Sequence, residues 1–99
     1  MPAELQLTPA ALIDLDMIWE RTVTRWSVEQ AEAYILQLNE SFRLLCDFPE
    51  MARERAEISP PIRLHPSGRH LILYRLEAGA LVILRVVHQR QNWSAWLSE

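Results

Sequence analysis

The sequence predicts an α+β domain, a helical hairpin packed on one face of a small curved antiparallel sheet. Three observations point there. In residues 9–48 the apolar side chains fall at three- to four-residue spacing, broken once by a helix-start signal near Ser27. From residue 62 onward, short alternating or fully apolar runs are separated by Gly and Pro. Charge divides along the same line: nine acids and three arginines in residues 1–50, four glutamates and seven arginines in residues 51–99. The predicted order is β-α-α-β-β-β with a short C-terminal helix.

Each element has a local cause. Residues 3–7 alternate and suit a first strand. Thr8-Pro9 supplies an N-cap followed by proline at the first helical position. The first helix then spans Pro9 to Arg25, with Leu12, Leu15, Ile18, Trp19, Val23 and Trp26 as its apolar stripe and Asp14, Asp16, Glu20 and Arg21 off it. Ser27-Val28-Glu29-Gln30 is a capping box, so the second helix starts at once. Ala31, Tyr34, Ile35, Leu38, Phe42 and Leu45 share one of its faces, and Pro49 stops it. Residues 50–61 are polar and end in Pro60-Pro61, which reads as a loop. Ile62 to His65 alternates as a strand, and Pro66-Ser67-Gly68 is a turn. Leu71–Leu76 and Leu81–Val87 are the two arms of a buried hairpin turning at Gly79. Gln91 to Leu97 suits a short amphipathic helix carrying Trp93, Trp96 and Leu97.

Composition narrows the function. Ninety-nine residues support a single domain, residues 1–99, and 49% hydrophobic content is enough for a core. No apolar run nears the ~20 residues that span a bilayer, and the start lacks a basic, then apolar, leader, so neither membrane nor secretion is expected. Cys46 has no partner for a disulfide and falls on an apolar helix face, which makes it a small core residue in a reducing compartment. The chain contains no lysine. Schiff-base and P-loop chemistry are thereby excluded, and arginine, charged below a pKa of ~12, acts as a clamp rather than a base. A net charge of −3 argues against direct nucleic-acid binding by the chain alone, because counterion release needs clustered cations. His65, His70 and His88 lack metal-ligand spacing, and Gly68 and Gly79 suit turns rather than a phosphate loop, so no metal or cofactor is expected.

The remaining candidates lie on the sheet. Strand alternation assigns Ile72, Tyr74, Leu76, Val82, Leu84 and Val86 to the helix-covered face. It leaves Arg69, Leu71, Leu73, Arg75, Ile83 and Arg85 on an open face suited to a partner peptide. At the end of the hairpin the sequence turns polar: His88 and Arg90, with Trp93 and Trp96 beyond, form a candidate recognition tip without catalytic residues. Tyr74 is expected in the core with its hydroxyl at the rim.

The chain also resembles the ParE branch of the RelE/ParE toxin superfamily over nearly its whole length. Ala11-Leu12-Ile13-Asp14-Leu15-Asp16-Met17-Ile18-Trp19 is similar to that family's first-helix A-x-x-D-L-x-x-I-W pattern. Trp26 to Ala31 resembles its helix junction, Ile62 to Arg75 its sheet core, and Arg85-Val86-Val87-His88-Gln89-Arg90 its R-V-x-H-x-R ending. Pro49-Glu50-Met51-Ala52-Arg53 departs from the family's P-x-x-G-R by lacking the glycine. The resemblance implies a bacterial cytoplasmic toxin of a type II toxin–antitoxin module, neutralised by a ParD-like antitoxin and acting on DNA gyrase. The RelE branch instead cleaves mRNA on the ribosome with lysines, arginines and a late tyrosine. Here Trp96 stands at the late position, although Arg63, Arg85 and Arg90 could clamp a phosphate and His88 could titrate. A third alternative is a degenerate toxin that only binds its antitoxin and co-represses the operon.

Overall fold

The computed structural model describes residues 2–91. Helix α1 runs Pro9–Arg25 and helix α2 Val28–Asp47. Thr8 Oγ1 accepts the Ala11 N–H and Ser27 Oγ accepts the Gln30 N–H, each at 3.0 Å. Each cap satisfies one first-turn donor that the helix itself leaves unpaired. Pro9 sits where a missing N–H removes no bond. At the far end, the Phe48 N–H closes on the Leu44 carbonyl at 2.9 Å just before Pro49. No helix among the described residues is long and apolar enough to cross a membrane.

Five strands form one sheet: β1 (Glu4–Leu7), β2 (Glu54–Arg55), β3 (Ile62–Ser67), β4 (His70–Glu77) and β5 (Ala80–His88), in the order β1-β5-β4-β3-β2. Strands β2 to β5 pair antiparallel, but β1 lies parallel to β5, with Leu7 beside Ile83. The sheet is therefore mixed rather than wholly antiparallel. Alternation identifies a strand but not its neighbour or its sense, and the helical hairpin carries the chain away before β5 exists to pair with. The two-residue strand β2 lies in the segment expected as loop, where it pairs with Ile62 and Arg63. It is too short and too charged to leave a period. The expected C-terminal helix falls on residues beyond 91, outside the described part.

The helices cover one face of the sheet. Ile18, Leu38, Phe42, Leu45 and Cys46 pack there with Ile72, Tyr74, Leu81, Ile83 and Val86. Tyr74 is fully buried, and its hydroxyl donates to the Pro49 carbonyl at 2.8 Å. A smaller cluster gathers Ile62, Leu73 and Val87 with Ile58, Leu64, Leu71 and Leu84. Leu73 alternates with Ile72 and Tyr74 along β4, so this cluster lies on the opposite face.

A register shift decides which residues of β5 meet the helices. Leu73 pairs with Arg85 but Tyr74 pairs with Ile83, so Leu84 is an extra residue. The Thr8 hydroxyl donates to the Leu84 carbonyl at 2.8 Å and the Thr8 N–H to the Ile83 carbonyl at 3.1 Å. The residue that caps α1 thus also ties the bulge to the β1–α1 corner. The shift reverses the expected faces: Leu81 and Ile83 go under the helices, and Leu84 joins the second cluster. Leu76, expected under the helices, is exposed and borders a cavity of about 190 Å³ with Pro60, Pro61, Arg63 and Arg75. On α1 the buried face centres on Ala11, Asp14 and Ile18, while Leu12 and Trp26 of the expected stripe are exposed.

Candidate functional site

The start of β4 and the end of β5 meet, placing His70 opposite His88. The Gln89 N–H donates to the Arg69 carbonyl at 3.0 Å. The neighbouring pair is therefore hydrogen-bonded, and His70/His88 is the close, non-hydrogen-bonded kind of pair. Their rings meet edge to face, 5.5 Å between centroids at 71°. The Arg90 N–H donates to His88 Nδ1 at 3.1 Å, and the His88 N–H donates to Gln91 Oε1 at 3.1 Å.

Tyr34 of α2 closes this corner from the helix side. Its hydroxyl lies 2.6 Å from His70 Nδ1 and accepts the Arg69 N–H at 3.0 Å. About two turns further along α2, Ser41 Oγ and Ser67 Oγ are 2.7 Å apart. Burial, together with the nearby His88 and Arg21, lowers the His70 pKa to about 4. The ring is consequently neutral at pH 7, and the Tyr34 hydroxyl, which also lies 3.5 Å from the Ser67 carbonyl, ties the imidazole to the turn between β3 and β4. Burial pushes the Tyr34 phenol upward, which makes it a fixed donor rather than a base.

Gly68 is what lets Tyr34 approach. Its φ is +58°, and a Cβ there would lie 2.7 Å from Tyr34 Oη and 2.8 Å from Cε1. Gly68→Ala combines a left-handed backbone with this overlap. It is expected to lower stability by about 2–3 kcal/mol, measured by urea denaturation.

Beside the corner, Asp14 of α1 takes both forks of Arg85, Nε at 2.7 Å and Nη2 at 2.8 Å. The same carboxylate accepts the Val86 N–H at 2.9 Å. Asp14 is only 8% exposed, so one carboxylate fixes the α1–β5 crossing. The apolar stripe expected on α1 leaves Asp14 off it. The available signal was its place at i+3 from Ala11 and i−4 from Ile18, on the face that is actually buried.

The structure separates the residues expected on one open sheet face. Arg69 is exposed and Leu71 partly buried. Leu73 is 0% exposed inside the second cluster, and Ile83 is 0% exposed beneath the helices. Arg85 is held by Asp14, and Arg75 is half-buried with Nη2 3.1 Å from Glu77. The bulge at Leu84 explains Ile83, since alternation assumes an unbroken register. Of the tip, His88 is half-buried and Arg90 exposed, while Trp93 and Trp96 lie outside the described residues. Arg63, a suggested phosphate clamp, bonds the Ala52 carbonyl and lies 4.0 Å from Glu54. Cys46 is buried, as a core residue should be.

The model of a family described as the ParE toxin of type II toxin–antitoxin system parDE matches residues 5–93. A protein named Toxin ParE1 from Mycobacterium tuberculosis is 36% identical over 93 residues, covering 93% of this chain and 95% of its own. Another Toxin ParE1, from Caulobacter vibrioides, is 34% identical over 92 residues with the same coverage, 93% and 95%. Among solved structures, a chain of the chromosomal ParDE TA system from P. aeruginosa superposes with a TM-score of 0.76 at 22% identity. That match covers 87% of this chain and 95% of the other, and it concerns the fold.

Proposed function

The chain belongs to the ParE toxin family of parDE type II toxin–antitoxin systems, and on that premise we propose that it inhibits DNA gyrase and is neutralised by a ParD-like antitoxin. The observation that carries this reading is the family match over residues 5–93. The chemistry of the chain agrees with it. There is no lysine for phosphodiester cleavage, and burial pushes the pKa of the corner tyrosine up, away from the range of a base. The target contact is the end of β5, His88 and Arg90, with Trp93 and Trp96 following in sequence.

The antitoxin surface is better sought on the helices than on the sheet. Leu12, Ile13 and Met17 of α1 are exposed, as are Leu36 and Leu44 of α2 and Phe48 just beyond it. A small domain rarely leaves so many large apolar side chains in water without a partner for them. An amphipathic antitoxin segment with its own apolar stripe suits these rows. Arg69 and Arg75 remain accessible enough to receive acidic residues at its ends.

The test is induced expression in a bacterial host, with and without the antitoxin. DNA synthesis should stop while protein synthesis continues, and the antitoxin should restore growth. Immediate loss of protein synthesis with cleaved mRNA would instead assign the chain to the ribonuclease branch.

A further inference from the structure

The buried Nε of Arg75 has no hydrogen-bond partner among the described residues. A buried donor on a charged group is costly to leave unpaired, so it marks a place where an acceptor belongs. Arg75 lines the cavity of about 190 Å³ at the end of β4, together with Arg63 of β3, Pro60, Pro61 and Leu76. Glu54 and Glu77 complete the lining.

Burial sorts these charges. The Arg63 and Arg75 side chains are 16% and 31% exposed, whereas those of Glu54 and Glu77 are 54% and 52% exposed. The cations therefore lie deeper, where water screens them least, and the carboxylates lie toward solvent. The inner part of the cavity is positive and calls for an anion.

The guanidinium selects which anion. Its Nε and Nη2 share one edge, which matches the two oxygens of a carboxylate. Arg85 shows that edge filled, with the Asp14 oxygens at 2.7 and 2.8 Å. On Arg75 it is half filled: Glu77 lies 3.1 Å from Nη2, and Nε is left over. The Glu77 contact is a surface pair, so little stability opposes its displacement. A planar monoanion can take both nitrogens side-on, whereas a phosphate dianion brings more charge against Glu54 and Glu77. Pro60, Pro61 and Leu76 supply apolar surface for a short aliphatic group next to the carboxylate.

We propose that this cavity binds an aliphatic carboxylate, held side-on by Arg75 Nε and Nη2 in place of Glu77. The carboxylate belongs either to a peptide C-terminus or to a free short-chain acid. Where a peptide carries it, the site gives a seat to an acidic group that the antitoxin reading leaves general, and to that extent rests on that reading; the free acid does not.

The experiment is NMR on the purified, uniformly ¹⁵N-labelled full chain at constant pH and ionic strength. N-acetyl-leucine stands for a peptide C-terminus and isovalerate for a free acid. Expected is a saturable downfield shift of the Arg75 Nε–H proton with a carboxylate and none with N-acetyl-leucine amide. Tighter binding of N-acetyl-leucine assigns the peptide, and equal or tighter binding of isovalerate assigns the free acid. Affinity in the variants is read from the Leu76 backbone amide. Arg75→Lys keeps the charge but lacks the paired edge, and should weaken binding about tenfold. Glu77→Gln removes the competing carboxylate and should strengthen binding about two- to fivefold. No saturable shift, an equal response to the amide, or inorganic phosphate binding as tightly as the carboxylates would overturn the site. So would an unchanged affinity in Arg75→Lys or in Glu77→Gln.

Discussion

Leu73→Asp should unfold the chain, removing about 4 kcal/mol or more of stability. Leu73 has no exposed surface and packs with Ile62 and Val87 on the sheet face away from the helices. An aspartate there loses the transfer energy of the leucine and must either bury its charge or hold its proton. Arg75→Glu, two residues on, provides the contrast. Arg75 is half-buried and its partner Glu77 is exposed, so the swap removes a weak surface pair and should cost about 1 kcal/mol. Chemical denaturation of both variants decides the matter. Similar small losses would mean that this face is open surface; a large gap means that it is core.

Asp14→Ala is expected to cost about 3 kcal/mol. It removes both hydrogen bonds to Arg85 and the acceptor of the Val86 N–H. Breaking a fully buried pair costs more, about 3–5 kcal/mol, but the Arg85 side chain is 20% exposed and water recovers part of the loss. Asp14→Asn keeps an acceptor for Val86 and should cost roughly half as much. In a double-mutant cycle, Asp14→Ala/Arg85→Leu should lose less stability than the sum of the two single variants, because the two side chains act as a unit. Strictly additive losses would show that they are not coupled.

Much of the fold was written in local signals. Thr8-Pro9 and Ser27 with Gln30 placed both helix starts, since caps act within four residues. The hairpin around Gly79 and the core place of Tyr74 followed from short apolar runs. What was not legible depended on non-local pairing. The parallel β1 and the Leu84 bulge are consequences of Thr8 meeting β5, seventy-six residues later in the chain. That one extra residue moved Ile83 from an expected binding face to the core. Buried Asp14 was hidden by its type, because an acid is read as solvent-facing unless its partner is known. His88 was legible as the tip of a rigid strand, but its companions His70 and Tyr34 needed the pairing of β4 with β5 and the packing of α2. Membership of the ParE family was already visible in the order and spacing of the motifs from Ala11 to Arg90.

The most direct test of the toxin reading is a gyrase reaction with purified components. Gyrase, supercoiled plasmid and ATP are incubated with the full chain, and the DNA is resolved after detergent and protease treatment. Linear DNA from trapped cleavage complexes is expected, rising with toxin concentration and abolished when the antitoxin is added first. Unchanged supercoiling and no linear DNA at a large molar excess of active, antitoxin-binding toxin would contradict the toxin reading.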